Sequence, residues 1–215
     1  MANEERYHPD DFGWRVDWNE KYNNKWIKEH NLINLSKDLA ALSQEGLNTA
    51  DSQHHETGWL KSIDRLMDLT PLAFDPSNYH FVDVGCGSGI STLYFADMYK
   101  FKSFAGFDFS PNLVEIAKRN LNIYNLVHQA KKEVNFSIAD ARSWKSVNYR
   151  LFLYMFNPFG YSTAKLLIEN NLSTLKDNNS ILALQWDIWS RQLALEGHHR
   201  IHIRSRMHKL SLFIF

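Results

Sequence analysis

Three glycines at alternate positions, Gly85, Gly87 and Gly89, follow an acid, Asp83, at the end of the apolar run 81–84, and a helical pattern begins at Ile90. This is the strand–turn–helix grammar of a nucleotide-type site. Open parallel sheets bind ligands where their strands end, and glycines let ligand and backbone come close. A dinucleotide fingerprint carries a third glycine where this chain has Ile90, and turns its helix N-terminus to a pyrophosphate. Asp83 disfavours a pyrophosphate neighbour, since like charges repel, and suits a ligand with an ammonium group beside a carboxylate.

Three further side chains follow apolar runs. Asp108 ends the second run, where a carboxylate can accept both hydroxyl protons of a ribose, a device that nicotinamide enzymes share. Asp140 follows the third, where an acceptor can take an adenine amino group. Asn157-Pro158-Phe159-Gly160 follows the fourth, near the reacting end of a ligand lying across the strand ends.

The elements that would position these residues alternate regularly. Strands are expected over 81–84, 103–109, 134–138, 151–156 and 181–186, with helices over 90–99, 110–121 and 164–175 and a shorter one over 188–196 that stops at Gly197. Ser110-Pro111 has the residues of a helix N-cap and first turn. The six apolar residues of 151–156 fit a central strand covered on both faces. Strands separated by helices imply an α/β, doubly wound, mostly parallel sheet. The closing runs 201–206 and 210–215 have no helix between them and read as an antiparallel hairpin. Before the sheet, apolar spacing predicts one helix over 17–45 and another over 59–69 with a polar loop between them. This divides the chain into a helical N-terminal cap, 1–75, and an α/β domain, 76–215.

The acid-led glycine turn, Asp108, Ala139-Asp140 and the Asn-Pro-aromatic turn, in this order, resemble the class I S-adenosylmethionine-dependent methyltransferases, and the resemblance is good over 80–187. It implies a seven-stranded sheet in the order 3-2-1-4-5-7-6, with strand 7 antiparallel. It also implies S-adenosyl-L-methionine as cofactor and S-adenosylhomocysteine as product. Asp83 would contact the methionine ammonium, Gly85 and Gly87 would lie along methionine and ribose, Asp108 would hold the ribose and Asp140 the adenine amine. Cys86, Gly89, Phe109, Ala141 and Asn157 complete the implied cofactor contacts, with Asn157 also a catalytic candidate. The turn departs from the Asp/Asn-Pro-Pro-aromatic form of amino-methylating nucleic-acid enzymes and some protein-glutamine enzymes: it has one proline, so its ring is shifted by one residue.

Other residues have competing readings. His54, His55 and Glu56 precede the last helix before strand 1, and His55 is the general-base candidate; a solvated polar loop is the plainer reading. Cys86 fits a packing role, since methyl transfer needs no thiol. His199 and His202 should face opposite ways in an extended segment, which argues against a metal there. Trp14, Trp18, Tyr22 and Trp26 fit packing, and Arg200, Arg204, Arg206 and Lys209 a solvated face.

Across 215 residues, 24 Lys and Arg balance 24 Asp and Glu. A formal net charge of zero argues against binding nucleic acid through a broadly basic surface. One cysteine excludes an internal disulfide and fits a reducing compartment. With no secretory signal and no membrane-length apolar run, the expected place is the cytoplasm. The expected reaction is methyl transfer to a small-molecule acceptor, with protein or RNA as alternative acceptors. An inactive cofactor-binding protein and a nicotinamide oxidoreductase are the competing classes, the latter disfavoured by Ile90.

Overall fold

The computed structural model describes residues 12–34 and 57–215. Helices α1 (Phe12–Glu29) and α2 (Leu60–Asp68) precede the sheet. Then follow β1 (His80–Val84), α3 (Ile90–Met98), β2 (Ser103–Asp108), α4 (Pro111–Val127), β3 (Val134–Ile138), β4 (Leu151–Phe156) and α5 (Tyr161–Asp177). The chain closes with β5 (Ile181–Gln185), α6 (Ser190–Glu196), β6 (Ile201–Ser205) and β7 (Leu210–Ile214). The strands form one sheet in the order β3-β2-β1-β4-β5-β7-β6. β1 to β5 pair in parallel, and β7 runs antiparallel between β5 and β6. This is the expected topology.

Each central strand is apolar on both faces because helices cover both. Phe81, Phe152, Tyr154, Ile181 and Ala183 enter one apolar cluster with Trp26, Leu60, Ile63 and Leu66 of α1 and α2. Val82, Val84, Leu151, Leu153, Met155, Leu182 and Leu184 enter a second cluster with Ala164 and Leu167 of α5. The period-2 alternation of a strand thereby sorts its side chains between two layers of helices. The aromatic stripe of α1 packs, as its spacing predicts: the Trp26 and Tyr94 rings meet edge-on at 5.4 Å. The Trp14 side chain lies outside the described residues.

The first helix is shorter than its leucine spacing predicts. It ends at Glu29, where Asn31 takes a left-handed φ of 55°. Leu32 N donates to Ile27 O and Asn31 N to Lys28 O, which is the Schellman closure of a helix end, with buried Leu32 as its apolar contact. Leu35, Leu39 and Leu42 lie outside the described residues. Ile33 N then donates to Asn120 Oδ1 on α4, and Asn120 Nδ2 donates to Ile33 O and Ser88 O. The segment after α1 is therefore tied, through one buried amide, to the glycine turn.

Candidate active site

Each of the three central strands leaves the sheet through a left-handed residue. β1 is followed by Gly85 (φ 72°), β4 by Asn157 (φ 40°) and β5 by Trp186 (φ 61°). Glycine takes this conformation freely; Asn tolerates it and a bulky indole does not. The first of these turns lines a cleft at the C-terminal edge of the sheet.

The glycine turn forms the cleft floor. A β-carbon at Gly85 would stand 2.3 Å from Pro158 Cβ, so the Asn-Pro turn after β4 is seated directly on the first glycine. At Gly89 (φ 78°) a β-carbon would meet Phe136 Cζ at 2.8 Å and Ala117 Cβ at 2.9 Å. The Cys86 side chain packs away from the cleft beside Val114, Ala117 and Phe136. Burial pushes its thiol well above the ordinary cysteine range, as the packing reading requires.

Two carboxylates face this turn. Asp83 is buried and accepts a 2.6 Å hydrogen bond from Thr92 Oγ1. Burial is the main cause that raises its pKa from 3.8 to about 7; the Thr92 bond lowers it and the Asp108 charge adds to the rise. Asp108 is also buried, with Oδ2 accepting from Gly87 N at 3.0 Å and Oδ1 from Ser110 N at 3.0 Å. Burial raises its pKa as well, against those backbone bonds. A carboxylate has about four acceptor sites, so Asp108 can still take a further donor.

Asp83, Gly85, Cys86, Ser88 and Ser91 line the cleft with Thr57, Gly58, Tyr154 and Phe156. Tyr154 was hidden in an apolar strand. It is the register partner of Asp83 across β1 and β4, and its hydroxyl donates to Gln185 Oε1 on β5. Gln185 Nε2 donates to Trp59 O, while Asn23 of α1 donates to Gly58 O and accepts from Leu60 N. The segment 57–60 is thus pinned from both sides over the strand ends. A β-carbon at Gly58 would stand 3.0 Å from Tyr154 Oη, so glycine is what lets this segment approach.

Three polar atoms at the cleft and its rim, Thr57 Oγ1, Ser88 Oγ and Asn157 Oδ1, are buried without a hydrogen-bond partner among the described residues. Buried polar groups without partners are rare in folded proteins.

A family model described as a methyltransferase domain matches residues 81–177. The matched stretch is less than half of the chain, and over it the chain is similar to a methyltransferase domain. No curated protein matches it by sequence. Among solved structures, a "predicted N6-adenine-specific DNA methylase" from Listeria monocytogenes is 15% identical, with a TM-score of 0.52 over 81% of this chain and 55% of that one. A "possible methylase" from Clostridium difficile 630 is 16% identical, with a TM-score of 0.51 over 74% of this chain and 53% of that one. The chain spans about half the length of both. An RNA methyltransferase from Salinibacter ruber, in complex with S-adenosyl-L-homocysteine, is 12% identical, with a TM-score of 0.45 over 72% of this chain and 88% of that one. The likenesses to the first two are ones of fold.

Within the matched stretch, the remaining sequence candidates lie at the ends of β2 and β3. Ala139 N donates to Asp108 O, which brings the β3 end beside β2. Asp140 is half-buried and gripped by Arg142 Nε and Nη2, whose bonds hold its carboxyl below the usual range. Phe109 is exposed and Ala141 is buried in the second apolar cluster. His55, with His54 and Glu56, lies outside the described residues.

Two expectations for the C-terminal segment need correction. His199 and His202 do not diverge: their rings are 5.7 Å apart and both pack on Phe213, because His199 precedes β6 and escapes its alternation. The basic run is not one solvated face either. Arg204 donates to buried Asp187, and Arg200 donates to Phe215 O. Among the described residues no helix is long and apolar enough to cross a membrane.

Proposed function

We propose that the protein is an S-adenosyl-L-methionine-dependent methyltransferase acting on a small-molecule acceptor, with 1–75 as a helical cap over the domain 76–215. The observation that carries this reading is the pair of buried carboxylates, Asp83 and Asp108, on a glycine turn whose neighbourhood holds partnerless buried polar atoms. Their chemistry fits the cofactor: Asp83 would take the ammonium and Asp108 the ribose hydroxyls, and the backbone of Gly85, Cys86, Gly87 and Gly89 would lie along the ligand. Phe109 and Ala141 flank the adenine and Asp140 accepts from its amine.

When bound, the cofactor supplies an electrophilic methyl group on a sulfonium. The chain's own work is alignment and exclusion of water. Gly58, Tyr154 and Phe156 close the cleft wall. Asn157, whose Oδ1 has no partner among the described residues, orients the acceptor, and His55 is the general base where an acceptor has a proton to lose. A small acceptor is favoured by the formal net charge of zero and by the pinned segment 57–60 beside the cleft.

Calorimetry with S-adenosylmethionine, S-adenosylhomocysteine and NAD tests the reading. Binding of the two sulfur ligands and not of NAD is expected; absence of both at millimolar concentration overturns it.

A further inference from the structure

Beyond the cleft, β5 ends in an aromatic arrangement that the cofactor contacts do not use. Trp186 is half-buried with its backbone at φ 61°, a conformation that a bulky side chain adopts only under constraint. Two bonds hold the turn that carries it: Ile188 N donates to Trp186 O at 2.8 Å, and Asp187 N donates to Lys209 O at 3.0 Å. Trp59 meets the Trp186 ring edge-on at 5.8 Å and 82°. Lys209 is half-buried, also left-handed (φ 52°), and holds its Nζ 3.5 Å from the centre of the Trp186 ring.

Lys209 has no acid partner among the described residues. The acid whose backbone pairs with it, Asp187, is already engaged: it accepts from Arg204 Nε at 2.7 Å, from Arg204 Nη2 at 3.2 Å and from Ser211 Oγ. An ammonium held on an indole face keeps its N–H donors and its charge for something else. The place is one an acceptor would reach. Trp186 follows Gln185, which bonds both Tyr154 of the cleft wall and Trp59 O.

We propose that Trp59, Trp186 and Lys209 form the acceptor subsite, and that the acceptor is a small molecule carrying a carboxylate on a flat, apolar body. The rings take the flat body and Lys209 takes the carboxylate. This rests on the methyltransferase reading above and adds the substrate class to it.

The test uses the full chain and a matched pair of probes, indole-3-acetate and indole-3-acetamide, titrated calorimetrically with S-adenosylhomocysteine already bound. The carboxylate is expected to bind about tenfold more tightly than the amide, as for one charge-assisted hydrogen bond. Lys209→Gln should abolish that preference and Lys209→Arg should keep it, while S-adenosylhomocysteine affinity, which also reports folding, stays unchanged in both. Equal affinity for the two probes, binding of neither, or a preference that survives Lys209→Gln overturns the proposal. So does single-stranded RNA binding that Lys209→Gln removes, which would assign the ammonium to a phosphate backbone. Failure of S-adenosylhomocysteine itself to bind overturns the methyl-donor reading, and is seen before any probe is added.

Discussion

Pro158 covers Gly85 so closely that no side chain fits between them: an added β-carbon would stand 2.3 Å from the proline Cβ. The contact joins the ends of β1 and β4, so the glycine turn and the Asn-Pro turn are one structural unit. Gly85→Ala combines a left-handed alanine, about 1–3 kcal/mol, with overpacking of similar size. Loss of roughly 2–5 kcal/mol of stability is expected by urea denaturation. Affinity for S-adenosylhomocysteine should fall with it, because relief of the clash moves Asn157.

Asp83 makes ligand binding depend on pH. Its pKa of about 7 lies above the ordinary 3.8, so the folded protein without ligand holds a proton there that the unfolded chain has released. The stability of that form therefore falls as pH rises from about 4 to about 7 and changes no further above that, as far as this group is concerned. An ammonium ligand prefers the ionised carboxylate, so the affinity for S-adenosylhomocysteine should rise up to about tenfold per pH unit below 7 and then level. Calorimetry near pH 6 in buffers of different ionisation enthalpy should detect close to one proton released. Asp83→Asn should bind weakly, with this pH dependence gone.

What the sequence discloses and what it hides follow from physical range. The helix start at Ser110-Pro111 is a local code, and Ser110 Oγ does accept from Leu113 N. The six apolar residues of β4 and the strand-ending acids are equally local, so the sheet and its binding edge are legible. Tyr154 and Gln185 are not, although a hydroxyl and an amide inside apolar strands were the available signal. Their roles depend on β4 and β5 being neighbours in register, with Phe156 opposite Gln185. The same holds for Arg204, whose partner Asp187 is brought near by the hairpin. The end of α1 is intermediate: Asn31 is a known stop residue, but the leucines beyond it keep a helical spacing that the structure interrupts.

The Tyr154–Gln185–Trp59 chain should hold segment 57–60 in place. Tyr154→Phe leaves Gln185 Oε1 buried without a donor, which costs about 1–3 kcal/mol. Amide hydrogen exchange over 58–62 should speed up in Tyr154→Phe more than exchange in β3. Equal change in both regions would mean that the bond supports the whole fold and not this segment.

Cys86 should be inert. Its thiol is buried and raised well above the ordinary range, so the thiolate needed for attack is scarce. Labelling by a disulfide reagent at pH 8 should be slow in the folded protein and fast in urea. Fast native labelling would mean that the turn opens readily at Gly85–Gly87.

Asp108 distinguishes a ribose site from a merely structural acid. Its carboxylate already accepts from Gly87 N and Ser110 N, so Asp108→Ala loses two loop bonds and any ligand contact together. Asp108→Asn does not separate these roles, since the amide keeps one acceptor oxygen, turns a donor on a backbone N–H at the other and removes the charge that draws two hydroxyl protons. A change in the ligand separates them. Binding of S-adenosylhomocysteine should weaken by about 1–3 kcal/mol in Asp108→Ala, as for a lost charged hydrogen bond. A ligand lacking one ribose hydroxyl, 2′-deoxyadenosylhomocysteine, should lose affinity against the native protein and much less against Asp108→Ala. Equal losses in the two proteins would place the ribose elsewhere and leave Asp108 as the tie between the glycine turn and the start of α4.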